Sequence, residues 1–501
     1  MITPAHDEFV KLAERGNLIP VYRELPADLE TPVSVFLKLR GEGAAFLLES
    51  VEKGEQQGRY SFLGIDLQRQ IVARHGVVTV HNPGNRTEIT LADDEDALTL
   101  VERELARFTP VEVAGLPPFH GGAVGFFGYD LIAAFEPVLA FERDEAQRMA
   151  EMHLLLTDTL LIFDHVKHRL LVVANAHLTD EADPTLAYEA AVRDIEALVE
   201  RLQRPLPALP HAPGRADTTW QPSIRRDEFE ANVRAAKEHI AAGDIFQVVL
   251  SQRLTRDTEA DPFTIYRTLR RINPSPYMFY FHFPPHDDRD ELMTIIGASP
   301  EMMVRLEGRT ATVRPIAGTR PRGATRAEDE RLAQELYADP KERAEHVMLV
   351  DLGRNDMGRA ADYGSVEVTD FMITERYSHV MHLVSEVNGT LRADQSPAAL
   401  FRATFPAGTV SGAPKIRAMQ IIEALEGLPR GPYAGAVGYF GYNNTIDTCI
   451  TIRTIWMEGQ RAYVQAGAGI VADSDPTREW EETLHKARAL GVAIEMAESG
   501  L

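Results

Sequence analysis

The sequence predicts an α+β fold of two interlocked α/β parts, with largely antiparallel sheets packed against helices. Short alternating apolar runs typical of strands fill the first half, for example HLLLTDTLLIFDHV (residues 153–166). The second half mixes long helices with glycine-punctuated strands, and helices do not separate these strands at regular intervals. Finally, GAVGFFGYD (122–130) and GAVGYFGYN (435–443) echo each other. We expect these two glycine-rich strands to pair across the halves, with coincidence as the alternative.

A proline-rich stretch divides the chain. QRPLPALPHAPGRADTTWQP (203–222) contains five prolines and shows no hydrophobic period. A helix-like run precedes it, and a predicted helix, RRDEFEANVRAAKEHIAAG, and a predicted strand, DIFQVVLSQRL, follow it. We therefore predict an N-terminal domain over residues 1–204, a linker over 205–222 and a C-terminal domain over 223–501.

The amino-acid composition excludes some classes of function and partner. The chain has 501 residues, enough for more than one core, and its 75 acidic against 52 basic residues give a net charge of −23. This balance argues against nucleic acid or an anionic membrane as a partner, and an anionic small molecule would need local arginines. Cys449, the single cysteine, excludes an internal disulfide and suggests a reducing compartment. With neither a signal-like N-terminus nor a membrane-length apolar run, we expect a cytoplasmic protein.

Two predicted helices begin with Asp-Pro and then carry paired glutamates. DPKERAEHVML places Glu342 and Glu345 three residues apart, and DPTREWEETL does the same with Glu479 and Glu482. Like charges at this spacing destabilise a lone helix by about 0.2 to 0.5 kcal/mol, but a cation between the pairs would make them tolerable. Without a His or Cys cluster nearby, the oxygen ligands favour Mg²⁺ or Ca²⁺ over zinc. Solvated helix faces are the equal alternative on spacing alone.

Several polar and glycine-rich motifs accompany these pairs. RPIAGTRPRG contains Thr319, FPAGTVSGAPK contains Thr409, and TIRT places Arg453 in a strand. YVQAGAGIVADSDP leads through Gly467 and Gly469, where small residues let backbone N–H groups approach an anion. Each motif is weak by itself. Together they predict a pocket for an anionic, oxygen-rich ligand held through a metal.

Two residues are candidates for proton transfer. His382 lies in YSHVMHLVSEV, where a histidine buried in the core is the alternative interpretation. Glu301 lies in GASPEMMVRL at the entry of a strand, where a surface carboxylate is the alternative.

A family resemblance rests on a set of motifs taken in order. These are GDIFQVVLSQR, GASPEMMV, RPIAGTRPRG, ERAEHVMLVDLGRND, FPAGTVSGAPK, AGAVGYFG, TIRT, QAGAGIVADSDP and EETLHKARAL. Together they resemble the chorismate-utilising enzymes, most closely their anthranilate synthase component I branch. The resemblance runs from about Asp227 to Leu490. Upstream, FLLES, RYSF and GAVGFFGYD are similar to the N-terminal domain of the same component, so the resemblance spans nearly the whole chain.

The resemblance assigns roles to the residues singled out above. It implies Glu345 and Glu482 as direct Mg²⁺ ligands, with Glu342 and Glu479 behind them through water. It implies His382 as the base that removes a ring proton and Glu301 as the acid for the departing ring hydroxyl. The residues that it places at the enolpyruvyl end of chorismate are Arg453, Tyr433, Gly467 and Gly469. Those that it places around the ring are Gly318, Thr319 and Thr409.

Two positions distinguish the branches of this family. Water-adding members carry a lysine general base where this chain has Gln247, and the aminodeoxychorismate branch typically carries a nucleophilic lysine where it has Ala317. With neither lysine, the resemblance implies an aminase component of tryptophan biosynthesis that adds ammonia to chorismate and releases anthranilate and pyruvate. An aminodeoxychorismate synthase component, disfavoured by Ala317, and a non-catalytic chorismate- or tryptophan-binding subunit are the alternatives.

The resemblance also implies a partner and an inhibitor. Cys449 lies in a predicted strand and not in a glycine-rich nucleophile elbow, so ammonia would come from a separate glutamine amidotransferase subunit. The motifs LLES and NPSPYM match the feedback site for tryptophan in this family. The residues concerned are Glu49, Ser50, Pro276, Tyr277 and Met278.

Overall fold

The computed structural model describes residues 1–51, 58–74, 76–92, 95–139, 149–178, 183–210, 212–214, 219–285, 292–377 and 380–500. Its helices are α1 (His6–Leu12), α2 (Pro32–Leu39), α3 (Ala97–Ala106), α4 (Pro184–Leu202), α5 (Arg226–Ala242), α6 (Pro262–Ile272), α7 (Arg326–Ala338), α8 (Pro340–Gly358), α9 (Pro397–Thr404), α10 (Lys415–Glu426) and α11 (Pro476–Ser499). Short 3₁₀ turns span Tyr129–Ala134, Pro137–Leu139 and Gly408–Val410.

The strands in chain order are β1 (Ile2–Thr3), β2 (Leu18–Pro26), β3 (Ala44–Glu49), β4 (Tyr60–Leu67), β5 (Arg69–Arg74), β6 (Val77–Asn82), β7 (Asn85–Thr90), β8 (Gly122–Phe127), β9 (Met152–Thr157), β10 (Thr159–Asp164), β11 (Arg169–His177), β12 (Gln221–Pro222), β13 (Gln247–Asp257), β14 (Tyr277–Phe283), β15 (Met293–Ser299), β16 (Met302–Glu307), β17 (Thr310–Val313), β18 (Ile316–Pro321), β19 (Glu367–Arg376), β20 (Val380–Thr390), β21 (Gly412–Ala413), β22 (Ala436–Gly441), β23 (Ile446–Ile450), β24 (Thr454–Glu458) and β25 (Arg461–Ile470).

Two antiparallel sheets organise these strands. The first has the order β1-β2-β11-β10-β4-β3-β14-β15-β24-β25-β13-β12, and β21 also pairs with β13. The second has the order β18-β20-β17-β16-β23-β22-β8-β9-β5-β6-β7, and β19 also pairs with β20. Apolar side chains from both sheets, among them Phe46, Phe126, Phe281 and Val437, meet in one core. The predicted α+β class with largely antiparallel sheets is confirmed.

Each sheet contains strands from both halves of the sequence. In the second sheet β8 pairs with β22, and Gly125 lies opposite Gly438. This is the pairing of the two echoing glycine-rich strands that the sequence predicted, and it is confirmed. In the first sheet β3 pairs with β14 across the same divide. The two halves therefore share both sheets, and the interlocked arrangement is confirmed.

The proline-rich stretch lies between α4, which ends at Leu202, and α5, which begins at Arg226. Near its end, Gln221 and Pro222 form β12 and pair with β13. Residues 211 and 215–218 of the predicted linker lie outside the described part of the chain. The proposed boundaries at 204 and 222 stay a prediction.

The helices that carry the paired glutamates are held by local signals and by packing. Asp339 caps α8 by accepting from the backbone N–H groups of Lys341 and Glu342, and Asp475 caps α11 by accepting from that of Arg478. Both helices then place Pro in the first turn, where its missing N–H costs nothing. The α8 helix packs on β18 and β20 of the second sheet, and α11 packs on β25 of the first.

Within the described ranges, no helix combines the length and the apolar composition needed to cross a membrane.

Candidate active site

A cavity of about 160 Å³ lies where the two sheets and α11 meet. We call it the central cavity. Strand β25 forms one wall, the turn between β23 and β24 a second, and the 3₁₀ turn Gly408–Val410 a third. The residues predicted from sequence that line it are Glu301, Thr409, Tyr433, Arg453, Gly467 and Gly469.

The glycines of β25 are needed because other side chains approach its backbone. A Cβ at Gly467 would lie 2.7 Å from the Tyr433 hydroxyl, and a Cβ at Gly469 would lie 2.6 Å from Gln247 Nε2. Gln247, at the start of β13, is therefore held against the cavity wall. Its side chain is 5% exposed, and its Oε1 has no hydrogen-bond partner among the described residues. An unpaired buried acceptor is costly, and a ligand that carries N–H groups would satisfy it.

Arg453 supplies a half-buried positive charge to the central cavity. Its guanidinium donates to the backbone carbonyl of Lys486 at 3.1 Å, and no carboxylate of the described residues lies within ion-pairing distance. Burial accordingly lowers its pKa. The residue also holds a left-handed backbone (φ 52°), a strained conformation for a side chain of this size that is typical of functional sites. An anionic ligand is the partner that this cation lacks.

Glu301 is a carboxyl group adapted to carry a proton. It is 8% exposed and lies between β15 and β16, with its backbone carbonyl accepting from the N–H of Ile450 at 3.0 Å. Burial raises its pKa to about 8, although the neighbouring Thr409 hydroxyl and the Lys486 ammonium both favour the charged form. Glu301 is thus protonated at neutral pH and able to act as an acid.

His382 is oriented by the irregular part of β18 that contains Gly318. Its Nδ1 lies 2.8 Å from the Gly318 carbonyl, which can only accept, and 3.2 Å from the Thr319 hydroxyl. Nδ1 therefore carries the proton, and Nε2 keeps the free lone pair of a base. Burial lowers the pKa of His382, and the nearby Arg453 charge lowers it further. Gly318 has φ of 67°, so its conformation favours glycine.

The paired glutamates of α8 and α11 form one electrostatic group. Burial raises the pKa of Glu345, and the charges of Glu342 and Glu482 raise it further. Burial also raises the pKa of Glu479, with Glu482 again contributing. Glu342 itself accepts from Arg320 at 3.2 Å. The two helices thus bring carboxylates from distant parts of the sequence within electrostatic range, and the negative charge is only partly compensated.

Comparisons with known proteins agree with this geometry. Residues 43–491 match the protein family described as chorismate binding enzyme. Over 99% of both chains, the sequence is 48% identical to anthranilate synthase component 1 of Synechocystis sp.. The chain belongs to the chorismate-binding enzymes. Within that family it groups with the proteins named anthranilate synthase component 1.

Two solved structures share the fold of this chain. The crystal structure of anthranilate synthase component I from Streptococcus pneumoniae superposes with a TM-score of 0.75 at 36% identity, covering 93% of this chain and 98% of that one. The menaquinone-specific isochorismate synthase of Escherichia coli has a TM-score of 0.69 at 19% identity, covering 98% of this chain and 99% of that one. At that identity the second comparison supports the fold alone.

The donor set of this chorismate-binding enzyme suits a hard divalent cation. In the described part of the chain, no three His, Cys, Asp or Glu side chains already converge as a metal cage. Mg²⁺, however, is usually bound by only one or two carboxylates and completes its shell with water and ligand oxygens. Burial raises the pKa of Glu345, the charges of Glu342 and Glu482 raise it further, and a bound cation would neutralise this charge. The chemistry of Glu345 and Glu482 is thus compatible with the Mg²⁺ ligands that the resemblance implies.

Lys486 is a site residue that sequence reasoning missed. It lines the central cavity, and its ammonium contacts both Glu482 Oε1 at 2.7 Å and the Gly467 carbonyl at 2.9 Å. Because it has two acceptors, its contact with Glu482 can open without leaving the ammonium unpaired. The position of Lys486 four residues after Glu482 on one helix was the available signal.

A second pocket of this chorismate-binding enzyme, of about 460 Å³, lies between the two sheets. We call it the Ser50 pocket. All five residues predicted for tryptophan line it, namely Glu49, Ser50, Pro276, Tyr277 and Met278. The hydroxyl of Ser50 is buried without a hydrogen-bond partner among the described residues. On the opposite wall, Asp447 accepts from the Tyr277 hydroxyl at 3.0 Å and pairs with Arg305 at 2.9 Å.

Glu49 differs from the other four because its carboxylate already has partners. Tyr266 donates to Glu49 Oε2, and Arg270 donates to both carboxylate oxygens at 2.9 and 3.0 Å. The Glu49 side chain is 1% exposed. This arrangement fits a positioning role for Glu49 better than a direct charge contact with a ligand.

The buried carboxyl of Glu301 predicts a pH dependence of stability. Between its ordinary pKa of 4.5 and its folded pKa of about 8, the folded state binds a proton that the unfolded state has released. The free energy of unfolding should therefore fall with rising pH across this window, by at most about 1.4 kcal/mol per pH unit from this group. Urea unfolding at several pH values should show a shallower decline in Glu301→Gln.

Glu238→Gln, on an exposed position of α5, is the matched control and should follow the parent protein. Equal slopes for the parent and Glu301→Gln across the window would contradict the assignment of a raised pKa to Glu301.

Proposed function

We propose that this chain is the aminase component of an anthranilate synthase, which converts chorismate and ammonia into anthranilate, pyruvate and water. The observation that carries the proposal is the central cavity itself. It combines a half-buried cation without a carboxylate partner, Arg453, with a carboxyl group that is protonated at neutral pH, Glu301. Relatives named anthranilate synthase component 1, at 48% identity and full coverage, support the branch.

The residues that distinguish the branches also support addition of ammonia. Gln247 is an amide against the cavity wall and cannot deprotonate water, whereas ammonia is already a nucleophile and needs no base. Its unpaired Oε1 is an acceptor for the N–H groups of ammonia. Ala317 is buried in β18 opposite Leu383 and offers no nucleophile for the aminodeoxychorismate route.

In the first step, Glu301 donates its proton to the leaving ring hydroxyl, which departs as water, while ammonia bonds to the ring carbon beside the one that carries the carboxylate. General-acid assistance of this kind contributes about 10²- to 10⁴-fold in rate. Arg453 holds the enolpyruvyl carboxylate and orients the ring.

In the second step, Nε2 of His382 removes the ring proton, the bond between the ring carbon and the enolpyruvyl oxygen breaks, and the ring becomes aromatic. The departing enolate takes up one proton at its methylene carbon and is released as pyruvate. The hydrogen bond from Nδ1 to the Gly318 carbonyl fixes the tautomer that this step requires. The lowered pKa of His382 keeps the imidazole neutral, and therefore basic, at physiological pH. Bound Mg²⁺, held by Glu345 and Glu482, would neutralise the charge of the ring carboxylate and assist the departure of the ring hydroxyl.

Ammonia is expected to come from a partner subunit. Component 1 in the names of the relatives implies a second component. Cys449 is buried in β23, and burial raises the pKa of its thiol, so it is unsuited to act as a glutaminase nucleophile. We propose a glutamine amidotransferase subunit as the partner and tryptophan as the ligand of the Ser50 pocket.

The activity test uses the purified chain with chorismate, Mg²⁺ and ammonium at alkaline pH, where free ammonia replaces the partner subunit. Anthranilate is followed by its fluorescence. Its formation is the expected result, and Gln247→Lys should lower it, because a lysine there favours water as the nucleophile. Unchanged chorismate, or a non-aromatic amino product as expected of the aminodeoxychorismate branch, would overturn the proposal.

The metal assignment makes a separate prediction. Glu345→Gln and Glu482→Gln should each weaken Mg²⁺ affinity by about 10- to 100-fold or more, because each removes a negative ligand oxygen. Calorimetric titration with Mg²⁺ measures this directly, without turnover. Glu481→Gln, exposed on the same helix as Glu482, is the matched control. Retention of parental Mg²⁺ affinity in both ligand variants would refute the assignment.

The tryptophan assignment is tested with Ser50→Phe. A phenyl ring in the Ser50 pocket removes the hydroxyl and fills space that the inhibitor needs, so inhibition of anthranilate formation should weaken at least about tenfold. Basal activity should change little because the pocket lies apart from the central cavity. Ser499→Phe, at an exposed position near the end of α11, is the control. Parental inhibition in Ser50→Phe would count against the site.

A further inference from the structure

A third concave surface, outside both pockets described above, has three arginines and two histidines among its lining residues. We call it the Arg267 cleft. Helix α6 contributes Arg267, Arg270 and Arg271, and the turn between β10 and β11 contributes His165 and His168. The cleft has a volume of about 610 Å³, larger than the central cavity. Nothing in the proposed reaction uses it.

The acidic residues of the cleft are already neutralised by other partners. Glu30 forms an ion pair with Lys38. Asp164 pairs with Arg59 at 3.2 Å and with Arg169 at 3.5 Å. Neither carboxylate is therefore left to balance the arginines of α6.

The arginines themselves are not all paired. Arg270 is committed to Glu49. Arg267 and Arg271 form no ion pair or side-chain hydrogen bond with any described residue, and Arg267 is only partly exposed. Two guanidinium groups in one cleft thus lack an anion, in a chain whose net charge is −23.

Interaction with the helix dipole explains the positions of two of the three arginines. Arg270 and Arg271 lie in the last turn of α6, where positive charge interacts favourably with the helix dipole. Arg267 lies a turn earlier, and like charges three and four residues apart on one helix disfavour each other. The dipole therefore does not explain why the three arginines share one concave surface with two histidines.

We propose that the Arg267 cleft binds a phosphate-bearing small molecule. A single carboxylate has two oxygens and is satisfied by one bidentate arginine, whereas a phosphate group offers three terminal oxygens and up to two negative charges. Two unpaired planar guanidiniums match the larger acceptor. The imidazole of His168 and the Nδ1 of His165, whose Nε2 already contacts the Ser61 hydroxyl at 2.8 Å, add further donors. The start of α2, which also lines the cleft, contributes positive helix-dipole charge.

The test is calorimetric titration of the full chain with inorganic pyrophosphate at constant ionic strength, with acetate as the carboxylate probe. The double variant Arg267→Gln/Arg271→Gln leaves the Arg270 contact with Glu49 in place and should weaken pyrophosphate binding by tenfold or more. Arg326→Gln/Arg331→Gln, which removes two exposed arginines from α7, matches the change in net charge.

Saturable pyrophosphate binding that is lost in the cleft variant and kept in the α7 variant would support the proposal. Equal binding in all three proteins, or no saturable binding to the parent chain, would overturn it. Acetate that binds as tightly as pyrophosphate would overturn the assignment to phosphate. Circular dichroism of the cleft variant checks its fold, and if the double variant unfolds, the exposed single variant Arg271→Gln is titrated instead. Because this measurement uses no chorismate, it is independent of the proposed activity.

Discussion

The antiparallel pairing of β8 with β22 is the contact on which the rest of the structure depends. It joins strands more than 300 residues apart in sequence, and the pairing of β3 with β14 repeats the junction in the other sheet. Glycine is required in both strands because their outer neighbours approach closely. A Cβ at Gly125 would lie 2.1 Å from the His153 carbonyl oxygen of β9, and one at Gly438 would lie 2.1 Å from the Asp447 carbonyl oxygen of β23. With both sheets continuous across the halves, the central cavity and the Ser50 pocket are held in one fixed body.

Charge is distributed in the central cavity so that an anion can enter an acidic protein. The net charge of −23 repels a dianionic substrate at long range, so the attraction must be local. Arg453 supplies it as a half-buried cation without a carboxylate partner, and burial removes one opposing charge by keeping Glu301 protonated. The remaining negative charge lies on α8 and α11. A divalent cation bound there would neutralise this charge and attract the anionic substrate.

Much of this could be predicted from sequence because the signals were local. Helix caps at Asp339 and Asp475, the alternation of the strands and the two echoing glycine motifs each depend on a few adjacent residues. The paired glutamates could be recognised from their spacing, and the structure brings Glu345 and Glu482 within electrostatic range of each other. What the sequence could not show depends on contacts between distant segments. Two examples are the contact of the Lys486 ammonium with the Gly467 carbonyl and the hydrogen bonds of Arg270 to the Glu49 carboxylate. Both form only after the sheets assemble.

Strand β23 gives the Ser50 pocket a direct physical connection to the central cavity. Asp447 and Cys449 line the pocket, and the next residue, Ile450, donates its N–H to the carbonyl of Glu301. The carbonyl of Ile450 accepts from Ser299, two residues before Glu301, at 2.7 Å. A ligand that displaces Asp447 from Arg305 and Tyr277 therefore acts on a strand whose other end positions the acid. The hydrogen bonds of Ile450 to Glu301 and Ser299 thus form a continuous path of backbone contacts from the wall of the Ser50 pocket to the carboxyl group in the central cavity.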